Sequence, residues 1–113
     1  MRRENIENAA YEVATQVRAV EDTIESALAE LAELQARMVH ARAVTNAGFV
    51  TSHAAFEQLA FTTNSIVAAR GGIANCHAAL AETRKSIPGL RTVAFGDGEE
   101  CPKTATADLR IVA

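Results

Sequence analysis

Three polar side chains recur seven residues apart: Arg70, His77 and Arg84. They continue a row that begins with Phe56 and Thr63. On a helix this spacing sets them along one stripe. Two guanidiniums and an imidazole on one stripe suit an anion or phosphate site in a bundle groove. The same residues also suit ion pairing within the chain. If the chain folds back near residue 47, Glu21 and Glu25 fall near the height of Arg70, and Glu7 and Glu12 near that of Arg84. Ion pairing is the expectation needing fewer assumptions, since an Arg in that setting packs its stem and exposes its head.

The other reactive residues make weaker constellations. His40 and His53 flank the expected turn, but only Glu57 stands one helical turn from either as a further ligand. Di-iron bundles need repeated Glu-x-x-His pairs, and this chain has none. Cys76 and His77 are adjacent, so on a helix they diverge by about 100° and make no thiol–imidazole pair. Cys76 falls on a row of small residues and is expected in the core. Cys101 sits in loop-like sequence and is expected to be exposed. Asp97-Gly98-Glu99-Glu100 lacks the alternating ligands of a calcium loop and reads as an acidic turn. No phosphate loop, dinucleotide fingerprint, nucleophile elbow or Cys-x-x-Cys motif occurs. The expectation is therefore no catalysis, no metal and no cofactor.

Composition points the same way. The 113 residues suit one domain, and a net charge of −3 argues against a dedicated nucleic-acid binder. Two cysteines cannot scaffold a disulfide-rich secreted fold. Alanine supplies 24 of the apolar residues and Trp none, which favours closely approaching helices over an aromatic ligand box. No leader-like apolar run follows Arg2-Arg3, and no stretch reaches the ~18 apolar residues of a membrane span. The default compartment is the cytoplasm, with both thiols free.

The elements that must position these residues are two long helices. Positions 6, 10, 13, 17, 20, 24, 27, 31, 34, 38, 41 and 45 alternate spacings of four and three, and all but Thr45 are apolar. That heptad seam predicts one coiled-coil-like helix over 5–46. Ala14, Leu28 and Val39 widen the stripe beyond what one neighbour needs. Asn46-Ala47-Gly48 supplies a left-handed stop, and Thr51 or Ser52 an N-cap. Leu59, Ile66, Ile73, Leu80 and Ile87 then predict a second helix over 51–87, ended by Pro88-Gly89. Ala55, Thr62, Ala69, Cys76 and Thr83 are expected as its second packing row. Gly71-Gly72 cost about 2 kcal/mol in a helix and mark the place where it would break. Near-equal arms favour an unbroken second helix and a matched antiparallel hairpin.

Residues 90–113 change character. Thr92–Phe95 and Asp108–Val112 have strand composition, so this segment reads as a short β-hairpin or extended tail. The apolar end, Leu109, Ile111 and Val112, is suited to pairing with a partner's sheet edge.

A lone hairpin leaves the wide stripe of the first helix and the row Ala60, Val67, Ala74 and Ala81 uncovered. The economical cover is a second copy, giving a homodimeric four-helix bundle. The leading functional expectation is thus a helical-bundle adaptor or assembly protein acting through self-association and a protein partner. Small-molecule or anion binding at Arg70, His77 and Arg84 is the alternative. Nucleic-acid binding through a basic face formed on dimerisation ranks below both.

Overall fold

The structure is a computed structural model describing residues 2–89. Helix covers 93% of them, and no strand occurs among them. Helix α1 runs Arg2–Thr45 and helix α2 runs Phe49–Thr83, with a 3-10 turn at Arg84–Ser86. The two long helices form a hairpin. The expected β-hairpin at 90–113, with Cys101, Leu109, Ile111 and Val112, lies outside the described residues.

The turn is built by a paired helix-ending motif. Asn46 takes the left-handed conformation at φ 60°. Its N–H bonds the Ala43 carbonyl at 3.3 Å, and the Ala47 N–H bonds the Arg42 carbonyl at 3.2 Å. These two bonds satisfy carbonyls that a helix end leaves orphaned. Arg42 reinforces the turn by donating from Nη1 to the Ala47 carbonyl at 3.0 Å. So Asn46, not Gly48, supplies the positive φ.

Helix α2 starts two residues before the expected N-caps. Gly48 holds the capping position, and its carbonyl accepts from the Ser52 N–H at 3.1 Å. Ser52 Oγ donates back to that same carbonyl at 3.0 Å, so it is an in-helix hydroxyl and not a cap. At the far end, Ile87 precedes Pro88 and is extended, with φ −105° and ψ 117°. Proline disfavours a helical residue before it, which explains why α2 tightens to 3-10 and stops. Gly71 and Gly72 lie inside an unbroken α2.

The chain divides into two compact units. One is Glu21–Gly72, which carries the turn. The other joins Met1–Val20 to Ile73–Ala113, of which 2–20 and 73–89 are described. In the second, Ala10 is the buried centre, 5% exposed, packed by Ile6, Leu80 and Ile87. In the first, Leu59 is the buried residue, 7% exposed. No other described residue is buried.

Two packing rows differ from expectation. On α1, Val13 and Leu34 of the predicted seam are exposed, while Ala14 and Leu28 are half-buried. The rest of the seam from Ile6 to Met38 is at least half-buried, and beyond it Ala41 and Thr45 are exposed. On α2, Ala55, Thr62, Ala69, Cys76 and Thr83 are all exposed. The half-buried row beside Leu59 and Ile66 is Phe56 and Thr63, and beside Ile73 and Leu80 it is His77 and Arg84. Both rows flank the Leu/Ile row by about 60°. At Phe56, His77 and Arg84 a ring or a long stem covers more apolar surface than Ala or Cys on the other row; size does not separate Thr63 from Thr62. Cys76 is accordingly a surface thiol and not a core residue.

Candidate functional site

The row Arg70, His77 and Arg84 does not lie in one unit. Arg70 belongs to the turn unit, and His77 and Arg84 to the other. Arg70 donates from Nη2 at 2.6 Å and Nε at 2.9 Å to Glu25 Oε2. That carboxylate occupies the guanidinium fork, and any external anion at Arg70 would have to displace it. His77 Nε2 and Arg84 Nε are shut off from solvent, and both residues engage neighbours. His40 and His53 are both exposed. Among the described residues, no three His, Cys, Asp or Glu side chains come together as a metal site would require.

The turn unit holds a concavity that the sequence pattern did not single out. A cavity of about 240 Å³ is lined by Val39 and Arg42 of α1 and by Phe49, Ser52, His53 and Phe56 of α2. The Schellman-type turn sets it there, because it brings the last turns of α1 against the first turns of α2. The Arg42 guanidinium lies 6.0 Å from the Phe49 ring centre, within cation–π range. The walls are thus aromatic and aliphatic, with an arginine and a histidine at the margin. Small-molecule sites usually enclose ~300–1,000 Å³. At 240 Å³ this one is the size for a single side-chain anchor.

Around the cavity the surface is apolar. Val39, Val44, Phe49 and Val50 are all exposed, Phe49 to 77% and Val50 to 86%. Residues 34–56 contain Arg37, His40, Arg42 and His53 and no Asp or Glu. That signal was readable in the sequence, as a gap in the acidic residues between Glu33 and Glu57.

Comparison of the chain with protein-family models, curated proteins and solved structures finds no match. The described residues include no helix long and apolar enough to cross a membrane.

Proposed function

We propose that this chain is a non-catalytic helical-bundle protein that works as an adaptor or assembly component, by associating with itself and with a protein partner. One observation carries the reading. The described hairpin buries only Ala10 and Leu59, while nine large hydrophobics stay exposed, among them Phe61 and Val67 on α2 and Val13 and Leu34 on α1. Large hydrophobics left open in this number support an interaction role.

Helix α2 is the element most in need of cover. Between Glu57 and Glu82 its one Lys, Arg, Asp or Glu is Arg70, and Glu25 already holds it. A helix so poor in charge, with Phe61 and Val67 open, gains from apolar cover. Helix α1, by contrast, turns Glu4, Glu12, Asp22, Glu30 and Glu33 to solvent. The arrangement that covers α2 without stacking acidic faces is a twofold pairing of α2 with α2 of a second copy, making a four-helix bundle.

The test is a pair of charge insertions on the exposed side of α2, Phe61→Glu and Val67→Glu. Both sites are open in the hairpin, so helicity by circular dichroism stays at the wild-type level while the sedimentation coefficient falls to that of one chain. Sedimentation unchanged from wild type would refute the α2 contact.

A further inference from the structure

We infer that two copies of this chain pair through α2 in antiparallel register, with Phe61 of each seated on Gly72 of the other. The inference rests on the self-association reading above and gives it a defined contact.

Phe61, Ser65, Ala68 and Gly72 share one stripe of α2. At 100° per residue they span about 60° of its circumference and face about 150° away from the buried Leu59. All four are exposed, Phe61 to 68%, and all four belong to the turn unit. The stripe therefore carries one knob, the Phe61 ring, and one hollow. A Cβ built at Gly72 meets nothing within 4 Å, and neither does one at Gly71 beside it. Glycine inside a helix weakens it relative to alanine. Nothing in the turn unit uses the space left open in exchange. A ring arriving from outside would use it.

The stripe complements its own reverse, and that selects a second copy as the occupant. In chain order it runs ring, small, small, hollow. Turned about a twofold axis midway between residues 66 and 67, Phe61 meets Gly72 and Ser65 meets Ala68, each contact made twice. The small pair at the centre lets the two helix axes approach. A parallel pairing would instead set ring on ring and hollow on hollow. The Ser65 hydroxyl donates to the Phe61 carbonyl at 3.0 Å, so it brings no unmet donor into the contact.

Charge selects the same occupant. Residues 58–69 contain no Asp, Glu, Lys or Arg. A twofold axis sets residues near it against their own copies, so any charge there would meet its like. An uncharged run suits that position. Helix α1 of the turn unit presents Asp22, Glu30 and Glu33 to solvent, and this face of α2 offers them no counter-charge.

The experiment places Phe61→Ala and Gly72→Phe separately in the full chain and reads association by sedimentation velocity. Phe61→Ala removes the ring from both contacts, and Gly72→Phe sets ring against ring. Each variant alone should raise the dimer Kd by at least about tenfold, with helicity by circular dichroism kept. An equimolar mixture of the two should return to within about threefold of the wild-type Kd, because each contact again holds one ring and one small residue. A chain carrying both substitutions should dimerise with itself and should not be retained by a tagged wild-type chain. Single variants that associate like wild type, or a mixture that stays dissociated while wild type dimerises, would overturn the seat and leave self-association standing. Retention of the double variant by wild type would overturn the antiparallel register. A wild-type chain that is monomeric at every concentration would remove both the seat and the self-association reading.

Discussion

Arg70 on α2 places Nε and Nη2 on a single oxygen of Glu25 on α1, at 2.9 and 2.6 Å. The two residue numbers sum to 95, against about 94 for arms folded near residue 47, so this pair reports the register of the hairpin within the turn unit. Its energetic weight is small. Both side chains are more than half exposed, and such pairs contribute ~0–1 kcal/mol. A double-mutant cycle with Arg70→Ala and Glu25→Ala should give a coupling below about 1 kcal/mol that shrinks with added salt. A coupling above ~2 kcal/mol by urea denaturation would mean the pair is desolvated, as it would be beneath a partner.

Asn46 is the residue on which the turn depends. An L-residue in the left-handed region costs roughly 1–2 kcal/mol, and Asn tolerates it better than Ala. Asn46→Gly should leave stability unchanged or raise it, while Asn46→Ala should lower it by about 1 kcal/mol. Chemical denaturation curves of the two variants decide this; an order of Ala above Gly would contradict the motif. Gly48→Ala should be mild by comparison, since an added Cβ meets Thr51 Oγ1 at an ordinary 3.5 Å and φ there is not positive.

Gly71 and Gly72 have no close neighbour to justify them within the hairpin. A Cβ built on either meets nothing within 4 Å. Gly-to-Ala exchange inside an exposed helix stabilises by up to ~1 kcal/mol. Thermal melts at low concentration should show that gain for Gly71→Ala and Gly72→Ala. Loss of stability in either variant would identify a close backbone approach from a second chain at that point.

Leu59 is the buried anchor of the turn unit. Leu59→Ala should cost about 2–4 kcal/mol, by transfer and cavity terms together. In a hairpin with so few interior residues, that should broaden or abolish the cooperative unfolding transition seen by circular dichroism. A change below 1 kcal/mol would show that Leu59 is not a packing centre.

Much of the architecture was legible in the residues. The absence of Pro and Gly before position 47, the Leu/Ile recurrence from Leu59 to Ile87, and the Pro88-Gly89 stop defined two helices and their turn. Pairing Glu25 with Arg70 followed from height along the arms. The choice between the two rows flanking Leu59 was not legible, because both stand at similar angles to it. The larger Phe56, His77 and Arg84 lie inward and Cys76 outward. The cavity was missed because it is a product of the turn. Val39 and Phe56 meet around it only once Asn46 reverses the chain. Its one linear signature, the carboxylate-free run 34–56, is a pattern of absence that motif reading passes over.

The central claim is that the exposed apolar surface of α2 is covered by a second copy. Absolute mass by light scattering across a concentration series tests it most directly. The account predicts a species of twice 12.0 kDa that persists on dilution into the low micromolar range. A mass of 12.0 kDa at every concentration would contradict it, leaving Phe61 and Val67 for a different partner.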